Sequence, residues 1–141
     1  MSRIYWDAML FVYWLEKNAR YVDRLTEIRK KMRERQDTLC TSVFTIGEVL
    51  AGPYKRGELE EAREIVKLFG PPHVEVIPFT AETANRYGQI RGTRRVGSAD
   101  AIHLACAAQA GVNLFLTNDH DLQGLVVPGI HFIAGLDVNL F

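Results

Sequence analysis

Three acids sit in stretches that otherwise avoid charge, and a fourth follows a short apolar segment. Asp7 interrupts the apolar run from Ile4 to Leu15. Glu48 lies within Val43-Phe44-Thr45-Ile46-Gly47-Glu48-Val49-Leu50, Asp100 within Ala99-Asp100-Ala101-Ile102, and Asp119 just after Leu116-Thr117-Asn118. Taking an unpaired carboxylate out of water costs several kcal/mol, so such groups find a partner or lose their charge. No lysine or arginine falls within these stretches to serve as that partner. A bound divalent cation supplies positive charge to several acids at once, and an all-oxygen donor set suits Mg2+ or Mn2+. A cation so held lowers the pKa of bound water and makes a nucleophile near neutral pH. Taken singly, each acid has a plainer reading as a helix cap or half of an ion pair. Asp100, two residues after Ser98, is favoured there by the helix dipole alone. The metal expectation therefore rests on the four together.

The surrounding pattern must bring them together. A short strand over residues 4–6 precedes a helix over 8–19 that is apolar almost all round and must be covered on more than one side. A helix over 21–35 follows, with the stripe Val22, Leu25, Ile28 and Met32 and a basic opposite face. Residues 38–42 read as a strand, and Ser42 as the cap of a helix over 43–51 that Gly52-Pro53 ends. An acidic first turn opens a helix over 58–69, stopped by Gly70-Pro71-Pro72. A strand over 74–77, a helix capped by Thr80 and running to about 91, and a helix over 99–110 with Ser98 as cap and Gly111 as stop come next. Strands over 113–116 and 131–133 complete the pattern. Strands alternating with helices predict an α/β fold, a three-layer α/β/α sandwich around a short, mostly parallel sheet of four to five strands, in one domain spanning 1–141. In such sheets ligands bind beyond the carboxyl ends of the strands. Asp7 and Asp119 follow strands directly, and Glu48 and Asp100 lie in helices entered from that edge, so the four are expected to converge.

Composition bounds the partners. Seventeen basic and seventeen acidic side chains leave no net charge, so attraction to phosphate must come from local patches. Arg91, Arg94 and Arg95, in the loop leading to Asp100, form one; Arg29, Lys30, Lys31, Arg33 and Arg35, offset by Glu27 and Glu34, form another that reads more simply as a solvated helix face. Cys40 and Cys106 lie in apolar settings without zinc-like spacing and are expected as buried free thiols. The opening residues lack a secretory pattern, and the run 4–15 is too short to span a bilayer; a cytoplasmic protein is expected.

The chain resembles the PIN-domain family, and within it the VapC-type toxins of toxin–antitoxin pairs. The likeness is carried by Ile4-Tyr5-Trp6-Asp7, Thr41-Ser42-Val43 through Glu48-Val49-Leu50-Ala51-Gly52, Ser98-Ala99-Asp100-Ala101-Ile102-His103-Leu104-Ala105 and Leu116-Thr117-Asn118-Asp119-His120-Asp121-Leu122, in that order. It implies a metal-dependent endoribonuclease with Asp7, Glu48, Asp100 and Asp119 as an acidic Mg2+ or Mn2+ site. Thr117 resembles the family's supporting hydroxyl, and Asp121 is a fifth acid whose spacing fits a loop or capping role better. Asp7, Asp100 and Asp119 are the expected direct ligands, while Glu48 is open to three roles: ligand, orienter of bound water, or proton acceptor. The likeness also implies a homodimer and a cognate antitoxin lying over the early helices, where Phe11, Tyr13 and Trp14 read as core or as interface. His103, one turn from Asp100, is expected in the core or behind the acids, and His120, Tyr54 and Lys55 in loops. Two other readings stand beside this one. A catalytically silent RNA-binding or interaction module of the same fold is disfavoured by the intact acids. A phosphate-handling α/β domain with an aspartate nucleophile is disfavoured because Ala8 and Met9, rather than a second acid, follow Asp7.

Overall fold

Ile4, Tyr5 and Trp6 are all buried, and successive strand residues point to opposite faces, so the segment holding them must be covered on both sides. That segment is β1 (Arg3–Trp6), the central strand of the computed structural model, which describes residues 1–137 and 139. The other strands are β2 (Thr38–Ser42), β3 (Glu75–Ile77), β4 (Leu114–Leu116) and β5 (Phe132–Ala134). They lie in the order β3-β2-β1-β4-β5, and every neighbouring pair is parallel. The expected sheet is therefore five-stranded and wholly parallel among the described residues.

Helices α1 (Ala8–Leu15), α2 (Val22–Glu34), α3 (Val43–Lys55), α4 (Leu59–Leu68), α5 (Ala81–Thr93) and α6 (Ser98–Ala110) cover the two faces. Ile4, Trp6, Leu39, Leu114 and Leu116 point into one cluster with Leu10 and Phe11 of α1, Leu25, Ile28 and Met32 of α2, and Ile65 of α4. Tyr5, Cys40 and Phe115 point the other way, into α6 and Ile90 of α5. This alternation produces the three-layer sandwich. Each fully buried side chain of this size contributes roughly 1.5–3 kcal/mol. Phe11 belongs wholly to the core, whereas Tyr13 and Trp14 are half-buried, and both cysteines are buried and free.

Three boundaries depart from expectation for physical reasons. The first helix stops at Leu15 rather than near residue 19. Lys17 adopts φ 53°, and the Asn18 N–H donates to the Tyr13 carbonyl, a left-handed helix stop that a lysine occupies in place of glycine. The third helix runs through Gly52-Pro53 to Lys55. Pro53 forfeits a helix hydrogen bond, but it is buried beside Val12, Leu15, Val49 and Ile65, and that apolar contact offsets the break. Gly97, not Ser98, caps α6; Ser98 is the first helical residue and accepts a hydrogen bond from Arg91. The Thr80 cap and the Gly111 stop stand as expected, the first as a reciprocal pair with Thr83 and the second at φ 67°.

Candidate active site

The chain lays β2 and β3 on one side of β1 and then crosses to place β4 and β5 on the other. The carboxyl ends of β1 and β4 therefore flank the reversal in strand order, where an open parallel sheet leaves a crevice. Trp6 and Leu116 are opposite each other in register, and the Asp7 N–H extends the pairing by donating to the Leu116 carbonyl at 3.1 Å. Asp7 and Thr117 are thus delivered side by side, one residue past each strand. Asp7 caps α1, its Oδ1 accepting from the Ala8 N–H at 2.7 Å, and its Oδ2 accepts from the Thr117 hydroxyl at 2.8 Å. That hydroxyl also accepts from the Asp119 N–H at 3.1 Å, and Asp119 Oδ1 accepts from the Asp121 N–H at 2.9 Å.

Two helices bring the remaining acids. Glu48 stands on α3 and Asp100 in the first turn of α6. All four acids line one cavity of about 400 Å³, together with His103, Asn118 and the α1 residues Ala8, Met9, Val12 and Tyr13. Convergence across four separate segments follows from the strand order and the helix entries.

The field in this cavity is negative. Burial, then the neighbouring Asp7 and Asp119 and, less, Glu48, push the Asp100 carboxyl above the usual carboxylate range, with His103 acting against them. Among the described residues no lysine or arginine forms an ion pair with any of the four acids. The partner present is His103, whose Nε2 lies 2.5 Å from Glu48 Oε1 and 3.9 Å from Asp7 Oδ1. Its Nδ1 meets the Tyr5 hydroxyl at 2.7 Å, and burial holds that phenol well above its ordinary pKa. Among the described residues, no three acid, histidine or cysteine side chains are gathered closely enough to hold an ion as they stand. The donor chemistry nevertheless fits a hard divalent cation, since all four groups are carboxylates and their mutual repulsion at Asp100 is what such a charge relieves.

Other expected site residues lie outside this cavity. Asp121 is exposed and contributes its backbone N–H to Asp119 rather than its carboxylate to the pocket. None of Arg91, Arg94 and Arg95 lines the cavity. Arg91 donates to Ser98 and Tyr87, Arg94 to the Val126 carbonyl, and Arg95 is exposed. On α2, Arg29 reaches the His73 carbonyl, Lys31 pairs with Glu27, and Arg35 pairs with buried Asp37 at the end of the helix. Tyr54 is exposed. Sequence reasoning did not single out Tyr5, Met9, Val12 or Asn118. Tyr5 had one legible signal, since it is the strand residue pointing oppositely to Ile4 and Trp6 and so toward the helix that bears His103.

A family model described as PIN domain matches residues 4–126. No curated protein sequence matches the chain. Among solved structures, VapBC2 of Rickettsia felis, bound to a DNA fragment from its promoter, superposes with a TM-score of 0.75 at 17% identity, over 94% of this chain and 98% of that one. VapC20 of Mycobacterium tuberculosis, a sarcin-ricin loop cleaving toxin, gives 0.67 at 16% identity over 86% and 93%. A toxin–antitoxin complex from Klebsiella pneumoniae gives 0.63 at 20% identity over 90% and 94%. At these identities the structural likeness speaks for the fold, and the match across residues 4–126 speaks for the lineage: this chain belongs to the PIN domain family.

Proposed function

We propose that this chain is a metal-dependent endoribonuclease and the toxin of a type II toxin–antitoxin pair. One observation carries the reading: four carboxylates from distant parts of the chain line a single cavity, and no lysine or arginine among the described residues pairs with them. Asp7, Asp100 and Asp119 would hold Mg2+ or Mn2+ directly, with Glu48 as a further ligand or as the group that orients or deprotonates water. A cation bound there supplies an acidified water and neutralises charge on the scissile phosphate. Thr117 holds the Asp7 carboxylate by its hydroxyl and accepts from the backbone N–H of Asp119, tying the two segments together at the cavity. The backbone N–H of Asp121 fixes one oxygen of Asp119 in turn.

The segment bearing Arg91, Arg94 and Arg95 ends at the N-terminus of α6, beside Asp100, and supplies phosphate contacts in this reading. The substrate is RNA, in keeping with the named action of VapC20 on the sarcin-ricin loop. The partners are a cognate antitoxin, in keeping with the toxin–antitoxin complex among its structural neighbours, and a second copy of the chain, which the family resemblance alone implies. No described helix is long and apolar enough to cross a membrane, and the proposed site of action is the cytoplasm.

The test is cleavage of a mixed RNA pool with Mg2+ by the parent protein beside Asp7→Asn. The parent is expected to generate 5′-phosphate ends, and the variant to lose on the order of 10²-fold or more in rate. Equal cleavage by both would remove the carboxylate mechanism. No cleavage by either would favour a silent RNA-binding module of the same fold.

A further inference from the structure

We propose that His103, with Tyr5 behind it, is a positioning residue that locks Glu48 in place as a hydrogen-bond acceptor, a role resting on the nuclease reading above. The chain of contacts runs from the core to the cavity. The Tyr5 hydroxyl meets His103 Nδ1 at 2.7 Å, and His103 Nε2 meets Glu48 Oε1 at 2.5 Å. Tyr5 is fully buried and His103 is 2% exposed, so neither can trade these partners for water. Phe115 stacks on the Tyr5 ring, and Phe44 lies edge-on to His103, which fixes both rings.

Donor and acceptor roles follow from counting hydrogens. A phenol is neutral at ordinary pH and carries one O–H that a buried site must satisfy. Glu48 Oε1 is a carboxylate oxygen and can only accept, so a neutral ring 2.5 Å away carries its hydrogen at Nε2 and is left bare at Nδ1, 2.7 Å from the Tyr5 hydroxyl, which donates to it. An imidazole accepting at Nδ1 carries its hydrogen at Nε2, and that hydrogen points at Glu48 Oε1. The histidine donates to the carboxylate and does not compete with it for a proton. Glu48 also lines the cavity, so this hydrogen bond restrains its carboxylate through Oε1 while leaving its second oxygen free to act. A hydrogen bond behind an acid of this kind acts as the outer support of a metal ligand does, fixing its orientation and basicity.

The experiment has two independent readouts. Long-range 1H–15N NMR of the metal-free protein reports which ring nitrogen carries hydrogen, and the signal missing from His103→Gln identifies His103 among the four histidines. The expected result is the Nε2–H tautomer in the parent and in Tyr5→Phe, since the Glu48 carboxylate can only accept. An Nδ1–H tautomer, or a doubly protonated ring at neutral pH, overturns the proposal. The second readout is kinetic. His103→Leu is expected to lose roughly 10–100-fold in kcat with KM little changed. His103→Gln, whose amide can still donate toward Glu48, is expected to recover most of that loss. Equal losses in the two variants, at equal melting temperatures, overturn the positioning role. If Asp7→Asn cleaves as fast as the parent, the nuclease reading itself falls, while the NMR result on Tyr5, His103 and Glu48 still stands or fails by itself.

Discussion

Thr117 carries one hydroxyl and serves two acids with it, donating to Asp7 Oδ2 and accepting from the Asp119 N–H. It is fully buried, so water does not replace it when it is lost. Thr117→Val keeps the shape and removes the hydroxyl, and the expected cost is about 1.5–3 kcal/mol, the range for a hydrogen bond to a charged group. Chemical denaturation of Thr117→Val and Thr117→Ser, the latter near parent stability, checks this. Asp100 works in the opposite sense. Its folded pKa is raised by burial and then by Asp7 and Asp119, so the folded state binds more protons than the unfolded chain just above the ordinary aspartate pKa of about 4. Stability must fall as pH rises through that window and stay reduced above the folded pKa. Asp100→Asn is therefore expected to melt higher than the parent at pH 7, with the advantage vanishing on acidification. Thermal melts of the two proteins across pH settle it; a lower Tm for the variant at pH 7 contradicts the repulsion.

At the scale of elements, the strands and most helices were legible because their apolar periodicity is unambiguous. Burial on both faces explains why residues 4–6 of β1 and the whole of β4 read as unbroken apolar runs rather than alternating ones. The acids were legible for the same reason, as charges where the pattern demanded none. Features that depend on a distant neighbour were not legible. Pro53 continues a helix because Val49 and Ile65 cover it, and the Arg94 guanidinium donates to the carbonyl of Val126, a partner 32 residues away. Gly129 is another such feature, in the segment that leads from β4 to β5 across α6. It has φ +100°, and a Cβ there would lie 2.6 Å from the Ala108 carbonyl oxygen. Gly129→Ala must strain the backbone and push the segment off α6, at an expected cost of roughly 2–4 kcal/mol. Urea unfolding of that variant beside Gly124→Ala, where nothing lies within 4 Å of the added carbon, separates contact from general loop sensitivity.

For the whole molecule, zero net charge hides a sharp local imbalance, with acids concentrated at one edge of the sheet. A ligand that binds only the folded state stabilises it by mass action, about 2.7 kcal/mol at a hundredfold excess over Kd. Mg2+ or Mn2+ is therefore expected to raise the Tm of the parent by several degrees and that of Asp7→Asn far less. An equal rise in both, read by calorimetry at constant ionic strength, would assign the effect to general salt.

The clip between Asp7 and Thr117 joins residues 110 positions apart. A polypeptide growing from its amino end exposes Asp7 early but cannot close that clip, or pair β1 with β4, until the region around Asp119 has left the ribosome. Copies whose synthesis has not reached Asp119 thus carry separate pieces of the acidic cavity without its assembled form, and under the proposed function they would be unable to cut RNA while still being made up to that point.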